Sequence, residues 1–143
     1  MGKAVTSGFV GTADAPDGTK PILVQAFDRM GITTLRHAVR RIAAQAGLHG
    51  QRLDDFVLAV NEIVTNAVMH GGGAGRLRLW RDGRDVCCEV SDRGPGLPAG
   101  GHAGQLPHSS QPRGRGVWLA HRLCDSVETA TGPTGTTVLM RQR

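Results

Sequence analysis

The stretch from Leu53 to Gly73 dictates more of the fold than any other. Leu53, Phe56, Val57, Val60, Ile63, Val64, Ala67 and Val68 recur at i, i+3, i+4, i+7 spacing, which predicts an amphipathic helix laid on a core. Gly71, Gly72 and Gly73 end it. Glu62 and Asn66 lie four residues apart, one above the other on the opposite face. A carboxylate beside a carboxamide can hold a hydrated cation and polarise a water or hydroxyl. Taken alone, the pair reads more simply as the solvated side of a surface helix, because polar residues opposite a core stripe are ordinary.

The flanking segments supply a sheet and two more helices. Pro21 to Phe27 is a short apolar run suited to a strand. Ile32, Leu35, Val39, Ile42 and Ala46 then step by three and four and predict a first helix ending at Gly47. Its other side carries Arg36, His37, Arg40 and Arg41, a solvated face or a docking surface for an acidic protein. Arg76 to Trp80 alternates polar and apolar as a half-buried strand does. Asp82-Gly83 marks a hairpin turn, and Asp85 to Ser91 returns to deliver Asp92. After a loop through Pro112, Gly114-Arg115-Gly116 opens a third helix, with Val117, Ala120, Leu123 and Cys124 inward. Two last strands, Ser126 to Thr131 and Thr136 to Arg141, flank a Gly-Pro turn.

These elements predict one domain over residues 21–143, preceded by a flexible leader over 1–20. The fold class is α/β (α+β): a two-layer sandwich of a mixed or antiparallel sheet with three helices on one face. At 143 residues the chain buries roughly two-thirds of its unfolded surface. No run of eighteen apolar residues crosses a membrane and no signal-peptide pattern opens the chain, so a cytoplasmic location is expected. The three cysteines form neither a disulfide framework nor a spaced metal site, and adjacent Cys87 and Cys88 should face opposite sides of the sheet. His102 and His108 have no partner at ligand spacing. The formal charge of +5 invites a phosphate-binding reading. Only Lys3 and Lys20 are lysines among 17 basic residues, however, an Arg-heavy balance that codon bias alone can produce, so the charge says little about partners. With aromatics at 3% and no recognition motif, direct nucleic-acid binding is not expected.

The chemistry sits in the order of the polar and glycine positions. Glycine-rich turns let backbone N–H groups approach phosphates, above all at a helix N-terminus. Gly114-Arg115-Gly116 fits that use, although no Gly-Lys-Ser/Thr follows as in a Walker loop. Neither this turn nor Asp92-x-Gly94-x-Gly96 is specific alone. In sequence, a helix with Glu-x-x-x-Asn, a hairpin ending in Asp-x-Gly-x-Gly, a long loop, Gly-x-Gly before a helix and Gly-Thr-Thr in a last strand resemble the GHKL superfamily. The resemblance covers residues 21–141. The wording LAVNEIVTNAVMHG, VSDRGPGLP and GRGVWLAHRLCDSVE is most like the anti-sigma-factor serine/threonine kinases.

That resemblance implies a Bergerat ATP-binding fold, Mg²⁺ and ATP as cofactors, and activity as a serine/threonine protein kinase. The partners it implies are an anti-anti-sigma factor, which is phosphorylated, and a sigma factor, which is sequestered; a homodimer is common in the family. Carried onto this chain, Asn66 would ligate Mg²⁺ and Glu62 would be the general base. Asp92 would accept from the adenine amino group, with Gly94 and Gly96 letting the base approach. Residues 97–113 would form the ATP lid. Gly114 and Gly116 would present N–H groups to the phosphates, and Thr136 or Thr137 would assist at the adenine end. Arg113 and Arg115 flank the end of the lid and read equally as contacts to the γ-phosphate or as solvated loop arginines. Val117 and Trp118 depart from the small or leucine-like residues usual there, and a bulky Trp118 bears on how the third helix meets the sheet. The rival reading is a module of the same fold that binds ATP and regulates a partner by binding only.

Overall fold

The computed structural model describes residues 20–94 and 112–143, the second segment with side chains from Gly116 onward. Strand β1 (Leu23–Asp28) leads through a single 3-10 turn into helix α1 (Ile32–Gln45), which is followed by α2 (Gly50–His70). The hairpin β2 (Ala74–Asp82) and β3 (Asp85–Asp92), helix α3 (Pro112–Leu123) and the hairpin β4 (Ser126–Gly132) and β5 (Gly135–Gln142) complete the order. The strands make one sheet, β1-β2-β3-β5-β4, and every neighbouring pair is antiparallel. The expected two-layer sandwich is present, its sheet antiparallel throughout. Among the described residues no helix is long and apolar enough to cross a membrane. The leader over 1–19, Gly96, the loop 97–111 and the side chains of Arg113 and Arg115 lie outside the described residues.

All eight apolar positions predicted for α2 are buried, joined by Ala59. They share one core with Leu77, Leu79, Val86, Cys88, Val90, Val138 and Met140 from the sheet. Each such side chain removed from water contributes roughly 1.5–3 kcal/mol, so this seam is what presses α2 onto β2, β3 and β5. Helix α1 stops as its sequence predicts. Gly47 takes φ +118, its N–H donates to Ala44 O at 3.1 Å, and Leu48 N–H donates to Ala43 O at 3.1 Å, the two bonds of a Schellman cap. The β2–β3 turn carries Gly83 at its first central position with φ +63, where a hairpin turn needs a residue without a Cβ.

Two polar devices tie the elements together. Buried Gln142 donates from Nε2 to Arg52 O and to Leu123 O, both at 3.1 Å, and its Oε1 accepts from Asp125 N at 3.0 Å. One amide therefore joins β5 to the first turns of α2 and to the end of α3. Arg40 of the basic face of α1 meets Asp54 of α2 at 2.9 Å, so part of that face binds the neighbouring helix. Trp118 does not wedge α3 off the sheet. It is half-buried and stacks under the guanidinium of Arg122, 5.4 Å from the ring centre, while Val117 fills the inward position.

The cysteines divide between the sheet faces as expected. Cys88 joins the helix-side core and Cys87 packs with Trp80 on the other face. Burial pushes the Cys88 thiol well above its ordinary value. Burial, with Asp125 and Asp55 nearby, lifts Cys124 to about 12. Protonated thiols of this kind are poor nucleophiles.

Candidate nucleotide site

The site forms where α2, the end of β3, the start of β5 and α3 converge. Strands alternate faces, so Asp92 follows Cys88 and Val90 on the helix side. Its register partners are Gly75 on β2 and Thr136 on β5. The Asp92 carboxylate is held from two directions: Oδ1 accepts from Gly94 N at 2.9 Å and from Thr136 N at 3.3 Å. Thr136 in turn shares a hydroxyl–hydroxyl bond of 2.9 Å with Thr131. Asn66 enters from α2. A cleft lined by Asn66, Asp92, Thr136, Ile63, Val90, Val117 and Val138 joins these polar groups to apolar walls. Its free volume is about 10 Å³, room for about one water.

Glycines set how closely the elements meet. A Cβ on Gly116 would lie 2.5 Å from Asn66 Nδ2, so α3 crosses α2 at the carboxamide only because residue 116 has no side chain. Gly116 thus sits against Asn66 from within α3. The helix begins at Pro112, two residues before the turn expected to open it, and Gly114 falls in its first turn, where backbone N–H groups have no helical acceptor.

The remaining predicted residues divide. Glu62 is half-buried one turn before Asn66, about 6 Å along the axis, and is not among the residues lining the cleft. Thr137 lies on the opposite sheet face, where its Oγ1 donates to Ser91 Oγ at 3.2 Å. Adjacent strand residues point to opposite faces, so only one of the two threonines reaches the cleft. Sequence reasoning missed Ile63, Val90, Val117 and Val138 as walls, because nothing separates them from ordinary core positions. It read Gly71 as a helix stop only. A Cβ on Gly71 would fall 2.5 Å from both Cγ and Oδ2 of Asp92.

A small, hard cation suits this chemistry. Mg²⁺ takes oxygen ligands and is usually held by one or two protein groups beside phosphates and water. The Asn66 carboxamide offers one oxygen, and among the described residues no cluster of three or more His, Cys, Asp or Glu forms a closed cage.

The profile of the histidine kinase-like ATPase domain family matches residues 27–142. The chain belongs to this family. Within GHKL proteins of this kind it groups with the anti-sigma type. It is 30% identical over 103 residues to the anti-sigma F factor of Clostridium acetobutylicum, a match spanning 65% of this chain and 71% of that protein. In fold it resembles the crystal structure of the RsbU and RsbW domains of Rv1364c from Mycobacterium tuberculosis. That likeness has a TM-score of 0.60 and 23% identity, covering 87% of this chain and 33% of the other. The histidine kinase domain of the Erythrobacter litoralis EL346 blue-light activated histidine kinase has a TM-score of 0.52 and 19% identity, over 94% and 71% of the two chains.

Proposed function

We propose that this GHKL domain binds Mg-ATP in the cleft and transfers the γ-phosphoryl group to a serine or threonine of an anti-anti-sigma-type protein. In the cytoplasm it would also hold a sigma factor, so that one surface exchanges partners. The observation that carries the reading is the convergence of Asn66 and Asp92 on one cleft from elements 26 residues apart in the chain. Asp92, its Oδ1 already engaged by two amides, would receive the adenine amino group, and the carboxamide oxygen of Asn66 would face the phosphate end. Gly114 and its neighbours in the first turn of α3 would add N–H groups there, with Arg113 and Arg115 beside them. Bound Mg²⁺ would neutralise phosphate charge.

Glu62 would accept the proton of the acceptor hydroxyl as its oxygen bonds to the γ-phosphorus. The bond from that phosphorus to the bridging oxygen breaks, and ADP leaves. The likeness to an anti-sigma F factor supports the class of partner.

The placement of Glu62 outside the cleft lining favours a second reading, in which the chain binds ATP and regulates its partner by binding only. Phosphate transfer to a purified acceptor protein, followed with labelled ATP, separates the two. The kinase reading expects Glu62→Ala to bind ATP within about twofold of the parent while transfer falls by the 10²–10⁴-fold typical of a lost general base. Equal transfer in that variant removes Glu62 from the chemistry. No transfer by the parent leaves the binding module.

A further inference from the structure

We infer that Gly71 is a positioning residue for the Asp92 carboxylate and thereby for base selectivity; the inference rests on the nucleotide reading above. Gly71 closes α2 with φ −104 and ψ 31, a backbone that side-chain-bearing residues also adopt. Its own conformation therefore gives no reason for glycine. The reason lies across the site. A Cβ at 71 would stand 2.5 Å from Asp92 Cγ, 2.5 Å from Asp92 Oδ2 and 2.8 Å from Ala67 O.

The carboxylate has nowhere to retreat. Oδ1 is tied to the amides of Gly94 and Thr136, and the main chain of Asp92 is pressed by Gly135, where a Cβ would lie 2.2 Å from Asp92 O. A methyl at 71 must therefore turn the carboxylate off both amides. The same glycine sets the reach of the site. A Cβ on Gly94 would lie 2.3 Å from Gly71 Cα, so the two main chains touch. This contact spaces Asp92 from α2, and with it from Asn66 five residues earlier.

The test compares ADP with IDP, which lacks the 6-amino group, by titration calorimetry on the parent, Gly71→Ala, Asp92→Ala and the double variant. The parent should favour ADP, and Gly71→Ala should shrink that preference by roughly tenfold, the worth of one hydrogen bond to a charged group, while the helical circular dichroism signal stays. A merely structural role would weaken both nucleotides alike, and an unchanged ADP:IDP ratio overturns the inference. Melting temperatures close the cycle. Asp92→Ala removes two of the three atoms that the new methyl meets, so Gly71→Ala should cost less there than in the parent, and equal costs overturn the coupling.

Should Gly71→Ala fail to fold, a folded double variant supports the inference and an unfolded one overturns it. A parent with no preference for ADP sinks the nucleotide reading instead, and the melting cycle still judges the contact between residues 71 and 92.

Discussion

The two ends of the cleft are built by different means. At the Asp92 end, two strands in fixed register, two amides on one carboxylate oxygen and three glycines at backbone contact distance over-determine the position of one side chain. At the Asn66 and α3 end, helix packs on helix. Gly116 abuts Asn66, Val117 and Ala120 join the core, and the far end of α3 is tied through Leu123, Asp125 and Gln142. On the proposed reading, rigid backbone would meet the base, where recognition needs a fixed acceptor. On the same reading the first turn of α3 would meet the phosphates, where charge must be approached and released. The difference suits a site that reads one half of its ligand and does chemistry on the other.

Breaking the rigid end should have the largest effect. Gly94→Ala places a methyl 2.3 Å from Gly71 Cα and 3.0 Å from His70 O, both main-chain atoms. We expect a loss at the upper end of the roughly 1–3 kcal/mol that overpacking costs, read from urea unfolding. Gly132→Ala, with nothing within 4 Å, should stay within about 0.5 kcal/mol as a surface substitution does.

Asp92→Asn is milder because the Asn oxygen still accepts from Gly94 N and Thr136 N. Its fold should persist while ATP affinity falls by roughly tenfold or more. Unchanged affinity would dissociate Asp92 from the base.

Thr137→Val probes the same strand on its other face. Losing the bond to Ser91 should cost about 1 kcal/mol of stability and leave nucleotide affinity within about twofold, whereas Thr136→Val should weaken binding.

The smallest expected effect concerns the anchored end of α3. Burial opposes ionisation of Asp125, but the side-chain bond from Arg52, the Arg143 N–H and their charges outweigh it and hold the carboxyl below its usual range. A depressed folded-state value adds stability above the unfolded value of about 3.9, and that stability is lost as pH falls through the lower folded value. Arg52→Ala should therefore lower the melting temperature slightly at pH 7, and the difference should shrink as pH falls through the folded-state value. The pair is half-exposed, so added salt should narrow the difference.

Much of this was legible in the chain itself. The stripe of α2 appeared position for position, because burial on one side of a helix imposes a period that composition cannot hide. The Gly47 stop and the Asp82-Gly83 turn were equally plain. Boundaries moved where packing extended an element. β2 begins at Ala74 rather than Arg76, since Ala74 and Gly75 pair with Asp28 and Phe27 of β1. Gly75 has no side chain to announce a strand, and a Cβ there would strike the Phe27 ring at 2.5 Å. α3 begins at Pro112, a residue well suited to a first helical turn.

The order of polar and glycine positions, then, was determined by the sequence alone, and with it the family and the fold. Which of two adjacent threonines faces the cleft was decided only by the pairing of β5 with β3, because a one-residue shift in register exchanges the faces and leaves the residue type unchanged. The tertiary structure also decided what Gly71 is for. Its own φ and ψ make no demand on residue type, and the carboxylate that forbids a Cβ there belongs to a strand 21 residues away. Contacts of that kind leave no period in a sequence, so only the assembled fold displays them.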